Sequence, residues 1–135
     1  MDNIKIHRKI AREKAVIGIY QYLLTESSIE DIDLYLKDQH ELSEEKDYLF
    51  AKQLIINVLD NTNQYINLIN KYLKNDWKFD RLPKMEQSIL LVATCEILET
   101  DLAKEIIVNE AVVLAKKYCD ETSYKYINGV LGKIN

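Results

Sequence analysis

The sequence predicts an all-α fold of seven helices, and three observations carry that reading. Val, Ile and Leu recur at intervals of three and four rather than two, which is helical spacing. Only three glycines and one proline occur, too few for a fold built on tight turns. No stretch alternates apolar and polar residues as a half-buried strand does. At 135 residues and 47% hydrophobic content, the chain is expected to form one domain over residues 1–135, with a core that needs no crosslinks.

The first helix is expected from about Ile6 to Leu24, with Ala11, Ala15, Ile19 and Leu23 on one stripe and Val16, Tyr20 and Leu24 beside it. Ser27-Ser28 can cap the second, which would bury Ile29, Ile32, Tyr35 and Leu36. Ser43 is the expected cap of the third, followed by Glu44 and Glu45 at its positive end. The apolar face of this helix is Phe50, Ala51, Leu54, Ile55, Val58 and Leu59. Asn61-Thr62 breaks or bends the pattern before a fourth helix holding Ile66, Ile69, Tyr72 and Leu73.

NDWKFDRLP is the longest non-periodic connection and the place where two helical sub-bundles would divide. Pro83 fits the first turn of a fifth helix, which carries Met85, Ile89, Val92, Ala93 and Ile97. A sixth is expected from Glu105 to Tyr118, with Val108, Ala111, Val112 and Ala115 inward. Thr122 or Ser123 would cap the seventh, whose face is Tyr126, Ile127, Val130, Leu131 and Ile134.

Composition excludes several function classes. No run approaches the roughly 18 apolar residues a membrane helix needs, and the start carries no apolar signal core. Cys95 and Cys119 have no metal-ligand spacing and cannot staple a framework. A cytoplasmic protein with reduced thiols, no metal and no cofactor is the expected setting. Catalysis is not expected either: His7 and His40 stand apart from any nucleophile motif, and three glycines could hardly build a phosphate loop. Glu96, mid-helix among apolar neighbours, reads as a structural ion pair or hydrogen bond rather than a catalytic acid.

The net charge of -4 hides an uneven distribution. Residues 1–20 hold five Lys/Arg against two Asp/Glu, whereas residues 26–47 hold nine acids against two bases. Because salt screens beyond about 10 Å, a ligand feels the local patch rather than the total. In KIHRKIAREKA, helical spacing puts Lys5, Arg8, Lys9 and Arg12 on one face. Like charges repel there, and a helix start is the wrong end of the dipole for cations. A mildly unfavourable arrangement of this kind fits either an untidy solvated face or a grip on phosphate. The nine tyrosines, against two phenylalanines, suit surfaces with one wet edge on which a base can stack.

Several segments then point to a family. IAREKAVIGIYQ resembles the N-terminal signature of the bacterial transcription antitermination factor NusB family. RLPKMEQSILLVATCEI is similar to that family's central helix, and VNEAVVLAKKY and KYINGVLGKI to its last two helices. The segments occur in family order across nearly the whole chain. The resemblance implies seven helices in two packed helical sub-bundles. It also implies a non-enzymatic role: with NusE, a small-subunit ribosomal protein, such proteins bind boxA RNA of ribosomal RNA leader transcripts and join other Nus factors on RNA polymerase.

On matching positions, the resemblance implies RNA contacts at Arg8, Lys9, Arg12, Tyr20, Tyr118, Tyr126 and Asn128, and Lys5 is expected to join them from its place on the same basic face. The resemblance implies a NusE contact at Glu86. Departures fall on the arginine run, where Lys9 and Ile10 stand, on Leu91 in place of a frequent arginine, and near Thr122 and Ser123, where an acid is frequent. Lysine binds phosphate as a point charge without the planar fork, so a weaker RNA face is expected. Two other readings stand beside this one. One is a stand-alone relative of the RNA-binding module of ribosomal RNA cytosine methyltransferases. The other is a helical interaction module without RNA binding, using its acidic 26–47 face. A homodimer is compatible with all three.

Overall fold

The computed structural model describes the backbone of residues 2–135 and the side chains from Arg8 onward. Its seven α-helices are α1 (Asp2–Thr25), α2 (Ile29–Lys37), α3 (Glu45–Asp60), α4 (Thr62–Tyr72), α5 (Lys84–Glu99), α6 (Lys104–Tyr118) and α7 (Ser123–Lys133). Single 3₁₀ turns at His40–Leu42 and Phe79–Arg81 interrupt the connections before α3 and α5. Among the described residues no strand forms, and no helix is long and apolar enough to cross a membrane.

Helix α5 is the axis of the structure. Every residue from Glu86 to Glu96 is buried, because α1, α3, α4, α6 and α7 all pack against it. A helix covered on all sides needs apolar residues all round, and Ile89, Leu90, Leu91, Val92 and Ala93 supply them. The expected single stripe on this helix was therefore too narrow. One sub-bundle gathers α1, α2 and α3 on one side of α5; α6 and α7 pair on the other, with α4 closing against α5 and α7.

The polar groups carried inward by α5 find partners, as buried polar groups must. Gln87 donates to the Phe79 and Leu82 carbonyls at 3.0 and 2.9 Å, pinning the end of the NDWKFDRLP connection. Ser88 donates to the Val16 carbonyl on α1. At Gly18, two residues beyond Ser88's contact, α1 packs closely on its neighbours: a Cβ there would lie 3.0 Å from Ile55 Cδ1.

Helix ends follow local chemistry at some places and not at others. Ser28 caps α2 by accepting from the Asp31 N–H at 3.1 Å. At the α3–α4 junction, Asn61 and Thr62 donate back to the Asn57 and Val58 carbonyls at 2.9 and 2.7 Å, satisfying acceptors that the break would orphan. Ser43 does not cap α3; it closes the preceding 3₁₀ turn, and Glu44 stands at the cap position without a side-chain bond. Thr122 stands at the cap position of α7 without a side-chain bond, and the Ser123 hydroxyl is spent on Glu86. Ile29, expected inward, is half exposed, while Tyr65, Ile107 and Leu114 are core residues that the stripes omitted.

Candidate nucleic-acid interface

The basic start of α1 does not present one cationic face. Lys5 and His7 lie outside the residues whose side chains are described. Arg8 is exposed and turns toward α3, its guanidinium 5.3 Å from the Phe50 ring centroid. Lys9 turns the other way, toward α6, where its ammonium lies 3.9 Å from Glu110.

Arg12 points between them into the core, with 5% of its surface exposed. It makes a two-pronged pair with Glu96 of α5: Nη2 donates to Oε2 at 2.8 Å, and Nε donates to Oε1. The expectation that Arg12 joins Arg8 and Lys9 on a solvent face is corrected here. Positions 12, 16 and 19 recur at helical spacing, and Arg12, Val16 and Ile19 share the buried side of α1. A guanidinium on that side must be paired, since an unpaired buried charge is strongly destabilising. Glu96 is its partner, as the reading of Glu96 as an ion-pairing acid anticipated.

The next residue of α1, Glu13, reaches across to the end of α6. Its carboxylate accepts from Lys117 Nζ at 2.7 Å and from the Tyr118 hydroxyl. Partial burial would raise the Glu13 pKa, but hydrogen bonds from Lys117 and Tyr118, with the charges of Lys117 and Lys14, more than offset this and hold it low. Lys117 also lies 5.2 Å from the Tyr118 ring centroid. Tyr20, half-buried, continues the Lys9–Glu13 stripe of α1. Lys116 sits 4.6 Å over the Tyr124 ring, and exposed Asn128 lies one turn beyond Tyr124 on α7. Lys9, Tyr20, Tyr118 and Asn128 thus remain within reach of solvent, along or beside a seam between α1 and α6.

Glu86 and Tyr126 belong to a different place. A groove of about 710 Å³ opens between the end of α4, the 74–83 connection and α7. Glu86, only 5% exposed, forms its floor and accepts from Ser123 at 3.0 Å and from the Tyr126 hydroxyl. Burial and the Glu86 charge push the Tyr126 hydroxyl pKa far up, so it stays a donor. Trp77 meets the Tyr126 ring edge-on, centroids 5.0 Å apart. Lys74, Lys78, Arg81, Lys125 and Lys133 line the groove against Asp76, Glu86 and Asp120, leaving it basic. Tyr126 is therefore a wall held by Glu86, and Glu86 is a support rather than an exposed contact. Sequence reasoning missed the groove, although the lone tryptophan, Trp77, between Lys74 and Lys78 was a signal for it.

Burial pushes the Cys95 and Cys119 thiols up to about 11, which starves them of thiolate. Among the described residues, no three His, Cys, Asp or Glu side chains gather where they could hold a metal ion.

Residues 9–135 match the NusB family. The chain is 38% identical over 130 residues to the transcription antitermination protein NusB of Staphylococcus epidermidis, covering 95% of this chain and 98% of that one. To the Bacillus subtilis protein of the same name it is 36% identical over 128 residues, covering 94% and 93%. Among solved structures, NusB of Thermotoga maritima superposes with a TM-score of 0.84 at 29% identity, covering 94% of this chain and 89% of that one. A chain from a crystal structure of antitermination factors NusB and NusE with double-stranded RNA gives 0.83 at 26% identity, covering 95% of each.

Proposed function

This chain belongs to the NusB family, and on that premise we propose a transcription antitermination factor that binds RNA together with the ribosomal protein NusE. The RNA is a boxA-type single-stranded element of ribosomal RNA leader transcripts, and the complex joins other Nus factors on RNA polymerase. The role is one of binding, without catalysis, in the cytoplasm, and residues 1–135 act as one domain.

The observation that carries this reading is the seam between α1 and α6, where exposed cations alternate with tyrosines. Lys9 at the seam, Arg8 on the α3 side of α1 and Lys5 ahead of them in sequence hold phosphates. Tyr118 and Tyr20 offer ring faces and Asn128 offers an amide, which suits the unstacked bases of a single strand. The groove walled by Tyr126 and Trp77 receives NusE, and Glu86 acts there by fixing Tyr126. That a solved relative is held with NusE and RNA supports the same pairing of partners.

Titration of a fluorescent boxA oligonucleotide, with and without NusE, tests this reading. Three phosphate contacts give a log–log salt slope of about -2 for single strands. In Arg8→Ala/Lys9→Ala that slope is expected to flatten by about 1.4. An unchanged affinity and slope in this variant would overturn the RNA assignment, and an RNA affinity indifferent to NusE would overturn the joint one.

A further inference from the structure

Two exposed cations of the α1–α6 seam, Lys9 and Lys117, each face a carboxylate. Lys117, 56% exposed at its side chain, stands outside a Glu13 that is only 20% exposed. Lys9 stands over Glu110 in the same layered way, 53% against 20%, although at a looser 3.9 Å. Tyr118 is tied by its hydroxyl to the Glu13 carboxylate, while Lys117 covers the ring from 5.2 Å. One carboxylate thereby occupies the charge of a lysine and the hydroxyl of a tyrosine, the two groups that RNA would use for a phosphate and a base.

We propose that Glu13 is a latch on the RNA-binding seam, competing with a backbone phosphate for Lys117 and tethering Tyr118 by its hydroxyl. The proposal rests on the RNA reading above and names the residue that sets its strength. A phosphate entering the seam must share Lys117 with a carboxylate that does not leave, so the contact contributes less than a free lysine does. RNA affinity is consequently set below the value that the cations alone would give. Unlike Arg12, whose acid is needed to keep a buried charge paired, Lys117 has water on its outer side and does not need Glu13 to remain charged.

Glu13→Gln keeps the shape and an oxygen that can accept from Tyr118, while removing the charge. With NusE present, it is expected to bind the boxA oligonucleotide about fivefold more tightly at 0.1 M salt, with a slope steeper by about 0.7, the contribution of one added phosphate contact. Placed in a Lys117→Met background, the same substitution is expected to give no gain. Lys117→Met alone is expected to change affinity less than twofold, and this limb stands even if Glu13→Gln were poorly folded. Glu105→Gln, at an exposed position near the start of α6, reports the general loss of one negative charge and is expected to leave affinity unchanged.

An unchanged or weakened Glu13→Gln, a gain that survives without Lys117, or an equal gain in Glu105→Gln would each overturn the latch. So would a fivefold loss in Lys117→Met alone, because Lys117 would then be fully engaged with Glu13 in place. Absence of RNA binding by the unsubstituted protein with NusE would instead overturn the underlying RNA reading, and the latch with it.

Discussion

Two ion pairs made by consecutive residues of α1, Arg12 and Glu13, use the same kinds of group for opposite purposes. Arg12 and Glu96 are sealed between α1 and α5, their side chains 6% and 1% exposed. Glu13 and Lys117 meet at the rim of α1 and α6, 20% and 56% exposed. The hydrogen bonds are of similar length, 2.8 and 2.7 Å. What differs is the water. Inside, removing either partner strands a charge where hydration cannot replace it; at the rim, solvent takes over the vacated site. The buried pair is therefore a structural bolt, and the rim pair is an exchangeable contact.

The largest expected effect tests the bolt. Arg12→Ala or Glu96→Ala should lower stability by roughly 3–5 kcal/mol in urea unfolding. Arg12→Met combined with Glu96→Leu removes both charges and fills similar space, and should recover most of that loss. A single substitution costing under about 1 kcal/mol would place this pair with surface bridges instead.

An intermediate case lies in the groove. Tyr126→Phe removes one of the two hydrogen bonds that Glu86 accepts from α7, Ser123 supplying the other. A loss of about 1.5–3 kcal/mol is expected, as for other bonds to a charged group. NusE affinity should fall in the same variant, since the loosened ring is the groove wall. Unaltered NusE binding would separate Glu86 and Tyr126 from the partner surface.

At the rim the expected stability effect is small. Glu13→Gln should change unfolding free energy by less than about 1 kcal/mol, in contrast to its several-fold effect on RNA binding. A larger loss would make Glu13 a second bolt.

The smallest effect is a pH dependence. Glu13 is held below its ordinary value by Lys117 and Tyr118 against partial burial. Asp33 is held low first by the Tyr48 hydroxyl, then, against desolvation, by Lys37 and Lys52. A carboxylate with a depressed native pKa stabilises the fold fully above its unfolded pKa, about 4, and loses that contribution as pH falls through the native value. Acid unfolding should accordingly begin below about pH 4, and Glu13→Gln should show a shallower decline there.

Much of this architecture was legible before any coordinates. Seven helices, Ser28 as a cap, the bend at Asn61-Thr62 and the ion-pairing role of Glu96 all follow from spacing and local chemistry. The errors have a common cause. Ser43 and Ser123 look like caps, but a 3₁₀ turn and a distant Glu86 claim them. Ile29 shares its neighbours' periodicity, yet no element covers it. Leu90 and Leu91 look like the outer side of α5 until helices close around it.

The sequence by itself determined which segments are helices, their order and the stripe each turns inward, because backbone hydrogen bonds and side-chain periodicity are set within a few residues. Tertiary structure decided which cations of KIHRKIAREKA and the α6 end can reach a ligand. Arg12 finds its acid 84 residues away and Lys117 finds its acid 104 away. A charge is a bolt, a latch or a grip according to how much water and which counter-charge its neighbours leave it, and those neighbours arrive only when the helices pack.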